Sequence, residues 1–415
     1  MRTITRALLL LALLAAGSVA QADDDGWQRF YFTDNAAYPD AYGNDVFPGC
    51  SGAPVPTLGP FGPELQAADT QYSFFYREGD MRKLAIFFDG GGACWDEHTC
   101  IVSALLGDPV YDTIVDETVA ELNATEGLAD NDNPENPIAG YFQVFIPYCT
   151  ADLHVGTRTT TYSYSGPYAP LPVIDWPINH KGRDNVAAVL GWLAREYQGK
   201  GAPRTVVVAG ASAGGYGAFF NYPEIDALLP RWTKKRVFSD SANGIINQDF
   251  YDRALTLNGV WGVWDDMPPE LANAFAAGPD ALPVALNQSL AWNYPRTRFG
   301  QYTRAFDGVQ IFYLNVAKYL EHPESWSDPF LLLFTGLEWT AKARASMLVS
   351  ALTTFNYRFY LGQGIDHTTV ADNSVYAEMS GSGIPLTDWL YDMIYRRFLF
   401  GGDWKNATCA PNCLP

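Results

Sequence analysis

β-rich segments alternating with amphipathic helical ones predict an α/β protein with a mainly parallel sheet covered on both sides. Three observations carry this reading. Residues 205–210, Thr-Val-Val-Val-Ala-Gly, form an apolar run of the kind buried on both faces of a parallel sheet. That run stops abruptly at Gly210-Ala-Ser-Ala-Gly214, where small residues permit a sharp strand-to-helix turn. Just before it, residues 183–197 place Val186, Val189, Leu190 and Leu193 on one helical face with charges opposite.

The other elements follow in order. Residues 27–69 are rich in Pro, Gly and Asp and predict outer loops with short edge strands. Residues 73–77 and 84–88 predict a strand pair joined at Gly79-Asp80, and 143–147 a further strand. The acidic, turn-rich stretch 108–137 reads as a surface insertion. After the turn at 210–214, strands are expected at 236–239, 297–303 and 357–361, and helices from Gly214, over 308–319 and over 386–400. Residues 249–289, helical and loop-like within an otherwise alternating chain, read as a lid or cap on a single domain of residues 23–415.

Residues 1–22 have Arg2 and Arg6 ahead of an apolar run and end in small residues, the layout of a cleaved export signal. The apolar run is too short to cross a bilayer, and no later segment reaches the ~20 apolar residues needed, so a secreted or periplasmic protein without stable membrane insertion is expected. Six cysteines suit an oxidising compartment. Cys94 with Cys100 and Cys409 with Cys413 could close small loops, leaving Cys50 with Cys149; a zinc site at Cys409 and Cys413 lacks a second nearby Cys or His pair. Asn123 and Asn406 stand in Asn-Ala-Thr sequons, which accept glycans only in a eukaryotic secretory route. A net charge of −19 over 415 residues argues against nucleic acid and anionic membranes as partners. Twelve Trp, 24 Tyr and 24 Phe can fill a large core or grip sugar rings and acyl chains.

The chemistry centres on Ser212. A serine hydroxyl on a nucleophile elbow is an acyl acceptor only when a base takes its proton and a carboxylate orients that base. The chain has five histidines. His98, His154 and His180 precede the elbow, and His322 stands beside a proline in a turn. His367 follows the strand at 357–361 late in the chain, which suits the order serine, acid, histidine. Three aspartates compete as the acid: Asp307 after the strand at 297–303, Asp240 after the strand at 236–239, and Asp366 beside His367, the least suited geometrically. Developing negative charge on the substrate oxygen needs aimed donors. Asp89-Gly-Gly-Gly-Ala-Cys94 follows an apolar strand, so the amides of Gly92 and Ala93, with that of Ala213 after the nucleophile, are the candidate oxyanion hole. The chemistry requires no cofactor or metal. The fold expectation is therefore α/β-hydrolase-like.

Phe88-Asp-Gly-Gly-Gly-Ala-Cys94, Tyr148-Cys149, Gly210-Ala-Ser-Ala-Gly-Gly215, Ser239-Asp-Ser-Ala-Asn-Gly244 and Ala305-Phe-Asp-Gly-Val-Gln310 together resemble the pectin acetylesterase and Notum-like carboxylesterase family. The resemblance implies a serine carboxylesterase that deacylates sugar or protein esters. It also implies Asp307 as the acid, since the family's aspartate lies in a Phe-Asp-x-x-Gln pattern that Asp307 and Gln310 match. Ala93 stands where the family usually has Trp, implying a wider acyl pocket. An acetylated polysaccharide is the first expected substrate. The acidic surface would repel polygalacturonate, so a neutral acetylated glycan, or a lipid-like or polyester ester, suits it better, and a catalytically silent glycan-binding homologue is a third reading.

Overall fold

The computed structural model describes residues 18–19, 26–59, 62–115, 126–168, 172–396 and 402–413. The export signal expected at 1–22, apart from Ser18 and Val19, lies outside the described residues, as do the Asn123 sequon and the end of the helix expected over 386–400.

Eight strands build the main sheet: β1 (Trp27–Tyr31), β2 (Ser73–Arg77), β3 (Asp80–Phe88), β4 (Tyr141–Ile146), β5 (Thr205–Ala211), β6 (Lys234–Asp240), β7 (Arg298–Arg304) and β8 (Tyr357–Gly362). Their order is β1-β2-β4-β3-β5-β6-β7-β8, extended at the two edges by the two-residue strands Ser18–Val19 and Ala407–Thr408. The run from β4 to β8 is parallel throughout, and β2 is antiparallel to both its neighbours. Six helices matter below: α1 (Gly182–Glu196), α2 (Ala213–Phe220), α3 (Leu282–Asn293), α4 (Gly308–Lys318), α5 (Pro329–Thr353) and α6 (Leu386–Tyr395). This is an α/β-hydrolase-type architecture.

The central strands are apolar because both their faces are covered: Val206, Val207, Val208 and Ala209 are all buried in β5. Trp192 of α1 packs edge-on against Phe74 at 4.9 Å and stacks over Phe142. Trp389 of α6 packs against Phe238 of β6 and Tyr360 of β8.

The strand pair expected at Gly79-Asp80 does not form. β4 lies between β2 and β3, antiparallel to the first and parallel to the second. The chain can cross at Gly79 because a Cβ there would stand 2.2 Å from the carbonyl oxygen of Tyr141. Two further elements carry no clear sequence signal. One is the hairpin of Arg158–Tyr164 with Ile174–His180. The other is α5, whose 25 residues expose Phe330, Phe334 and Leu352 and so lack the polar face by which a surface helix is read.

The six cysteines pair as Cys50–Cys149, Cys94–Cys100 and Cys409–Cys413. These bridges close sequence separations of 99, 6 and 4 residues. Because a bridge restricts the unfolded chain more as its loop lengthens, replacing Cys50 and Cys149 by Ala should cost about 4–5 kcal/mol, against about 2 kcal/mol for Cys409 and Cys413. Equal losses in denaturant unfolding would contradict this ordering.

Candidate active site

β5 ends at Ala211, and the next residue, Ser212, has φ 54° and ψ −123°, a conformation rarely tolerated with a side chain. The strain is imposed by close packing of α2 on the sheet edge. A Cβ at Gly210 would lie 2.1 Å from the carbonyl oxygen of Gly214, and one at Gly214 would lie 2.0 Å from that of Phe88. Glycine at both positions lets the chain reverse over β3 and present Ser212 at the start of α2. The amide of Ser212 donates to the carbonyl oxygen of Asp240 on β6 at 2.9 Å.

Asp307 follows β7 and caps α4. It is fully buried, and His367 lies after β8 with its Nδ1 2.8 Å from Asp307 Oδ1 and 3.0 Å from Oδ2. Asp307 Oδ1 also accepts from the amide of Gln310 at 3.0 Å, and Oδ2 from Gln310 Nε2 at 2.9 Å. The two loops are stitched by backbone bonds, with the amides of Phe306 and Gly308 donating to the carbonyls of Gly364 and Ile365. With Nδ1 engaged by the carboxylate, the buried Nε2 of His367 has no hydrogen-bond partner among the described residues. Ser212 and His367 line one cavity.

The competing aspartates have other partners. Asp366 is exposed and lies 3.6 Å from Arg304. Asp240 Oδ2 accepts from the amides of Thr369 and Val370 at 2.6 and 2.8 Å, and Oδ1 from the hydroxyl of Ser241 at 2.8 Å. Ser241 Oγ in turn accepts from the amide of Thr368 at 3.0 Å. Asp240 and Ser241 thus hold the segment that follows His367, a role sequence spacing did not reveal. Arg304 secures the segment before it, donating to the carbonyl of Gln363 at 2.9 Å and pairing with Glu378 at 3.3 Å. The remaining histidines are committed elsewhere: His154 to the carbonyl of Asp89, His180 to Tyr162, His98 to Asp96 and His322 to Glu324.

The Gly-rich loop after β3 lies beside Ser212, and Gly92, Ala93 and Ala213 all line the cavity. Ala93 differs from expectation in one respect. Its amide donates to the carbonyl of Val110 at 3.3 Å, and Asp112 donates to Gly91, so the loop forms a short antiparallel ladder. Gly92 sits in that ladder opposite Tyr111, at a site where its own amide points away from the partner strand. Ala213 is the first residue of α2, where helical amides have no intrahelical acceptor. Among the described residues, the amides of Gly92 and Ala213 are therefore the two of the three left without a protein acceptor.

Behind Ser212 the cavity holds about 130 Å³, room for about four waters. Its walls are largely apolar: Trp95, Phe219 and Phe220 on one side, Phe250, Phe275 and Leu286 from the 249–289 region, and Leu314 and Trp339 from α4 and α5. Outside the cavity, Asp96, Glu97 and His98 bring ligand-type atoms within 4.8 Å of one another, but Asp96 is already bound by His98 and Thr99.

Fold and geometry together define an α/β-hydrolase with a serine on its elbow and an aspartate-histidine pair at the neighbouring strand ends. Residues 70–255 match the model of the pectinacetylesterase family. Among curated proteins it is 25% identical over 187 residues to palmitoleoyl-protein carboxylesterase notum2 of Xenopus laevis, covering 44% of this chain and 34% of that one. It is 26% identical over 174 residues to palmitoleoyl-protein carboxylesterase NOTUM of Schmidtea mediterranea, covering 41% and 29%. The match thus spans about a third of the length of these relatives. Two crystal forms of the Wnt deacylase Notum from Drosophila superpose with a TM-score of 0.49, at 19% and 16% identity, covering 77% and 91% of this chain and 87% and 93% of theirs.

Burial pushes the Asp240 carboxyl up to about 6, against the pull of its amide and hydroxyl donors. A carboxyl whose folded pKa lies above its unfolded value gives stability that is complete below pH 3.8 and lost as pH rises through about 6. Asp240→Asn keeps an acceptor for both amides and cannot ionise. Its stability relative to wild type should therefore improve by about 2 kcal/mol between about pH 4 and about pH 7. Urea unfolding at the two pH values measures this, and a difference that does not change with pH would show that Asp240 is not the titrating group.

Proposed function

We propose that this protein is a serine carboxylesterase that accepts an acyl group much longer than acetyl. The observation that carries the proposal is the apolar cavity opening from Ser212 and His367, lined by Trp95, Phe219, Phe220, Phe250 and Phe275, since an acetyl group would leave most of these walls without contact. Ser212 attacks the ester carbonyl carbon while Nε2 of His367 takes the hydroxyl proton, and Asp307 stabilises the resulting imidazolium. The amides of Gly92 and Ala213 receive the oxyanion. The carbon–oxygen bond to the alcohol then breaks, the alcohol leaves with the proton from His367, and the acyl group stays on Ser212. Water activated by His367 releases the acid and restores the serine. The amide of Ala93 joins the oxyanion donors only if its bond to Val110 yields.

The names of the curated relatives, palmitoleoyl-protein carboxylesterases, agree with a long acyl group. The 249–289 region serves as a cap, because it supplies much of the acyl wall. Export through the leader at 1–22 is supported by the three disulfides. A second reading, removal of short O-acetyl groups from a glycan, rests on the pectinacetylesterase match over 70–255.

Ser212→Ala should lose at least about three orders of magnitude in kcat on nitrophenyl esters while melting at the wild-type temperature. Retained hydrolysis, or no labelling of wild-type Ser212 by a fluorophosphonate, would remove the nucleophile assignment. Across nitrophenyl acetate, butanoate, octanoate and palmitate, kcat/KM should rise with chain length, since each buried methylene is worth about 0.8 kcal/mol. A maximum at acetate would return the glycan reading to first place.

A further inference from the structure

A second hollow of about 270 Å³ adjoins the acyl cavity on the side of α5. The two share Ile245, Ile246 and Pro283 as a common wall. Beyond that wall the hollow is formed by Val284 at the start of α3 and by Ala345 and Val349 of α5. Lys342 of α5 reaches across to Asp280 at 3.2 Å and forms a polar rim. Val349 is 42% exposed and Ala345 is also exposed, so apolar surface here faces solvent in the free protein.

We propose that this hollow is a distal subsite for the far end of a long acyl chain whose carbonyl carbon lies at Ser212. The inference rests on the acyl reading of the first cavity and extends it. Three features favour an acyl tail as the occupant: its lining is mainly aliphatic, it shares Ile245, Ile246 and Pro283 with the acyl cavity, and the one cation among its lining residues, Lys342, is already paired with Asp280 and Glu338. A polar or anionic group would find no unpaired cation there. Ile245 and Ile246 lie outside any helix or strand, in the loop that follows β6, so on this proposal the chain passes beside their side chains.

The test compares wild type with Ala345→Trp, which fills the hollow from an exposed helical position, and with Val349→Asp, which charges it. On nitrophenyl palmitate, kcat/KM should fall about tenfold or more in both variants, the worth of two or more methylenes leaving an apolar site, with nitrophenyl butanoate within about twofold of wild type. If wild type hydrolyses palmitate well and both variants keep its palmitate-to-butanoate ratio, the distal subsite is wrong while the acyl reading stands. If wild type prefers butanoate to palmitate, the long-chain reading itself fails and the subsite with it.

Discussion

The carboxyl end of β6 is the point to which the rest of the site is referred. The backbone oxygen of Asp240 accepts the amide of Ser212, and its carboxylate accepts the amides of Thr369 and Val370. One residue therefore holds both the strained elbow and the segment that follows His367. A residue at φ 54° persists only where its surroundings over-determine it. Here the close approach at Gly210 and Gly214 presses from one side, and the hydrogen bond to Asp240 fixes the other. Isolating a carboxylate in this position carries a desolvation cost, visible in its raised pKa, and three donors offset it.

This arrangement also explains why two buried aspartates at neighbouring strand ends take different tasks. A carboxylate can orient an imidazole only if an oxygen reaches the ring nitrogen, and the oxygens of Asp240 are directed at the amides of Thr369 and Val370 and at Ser241, whereas Nδ1 of His367 lies against Asp307. Asp307 stands at the N-terminus of α4, where amides and Gln310 hold the carboxylate and leave its face toward His367 open. Gln310 fixes more than the acid, because its Oε1 accepts the amide of Asn243, tying α4 to the segment after β6.

The parts legible in sequence were those governed by local backbone rules. The elbow, the strands at 205–210 and 357–361 and the helix at 183–197 follow from glycine spacing and periodicity, and they appear within a few residues of expectation. The position of His367 after β8 followed from chain order. Spacing alone left Asp307 and Asp240 nearly equal, since what separates them is the direction of a side chain, which no spacing encodes. The insertion of β4 between β2 and β3 was hidden for a related reason: a two-residue glycine turn reads as a hairpin unless one knows that another strand's carbonyl occupies the space above Gly79. The amide of Ala93 is a third case, spent on Val110 by a ladder between loops that carry no strand signal.

The acyl wall illustrates how far a family match can carry a substrate argument. The matched segment, 70–255, contains the elbow, the Gly-rich loop and Asp240, which together support acyl transfer as a reaction type. Asp307, His367 and the walls formed by Phe275, Leu286, Leu314 and Trp339 lie beyond it. Acyl length is decided by volume and polarity behind the nucleophile, so it is set largely by residues that the match does not include. A net charge of −19 does not conflict with an apolar acyl group, because the charge resides on the exterior whereas the cavity is lined by aromatic and aliphatic side chains. It does weigh against a polyanionic alcohol partner, which would meet like charge before it reached Ser212. Interior and exterior therefore constrain the two halves of the ester separately, the acyl half by apolar volume and the alcohol half by surface charge.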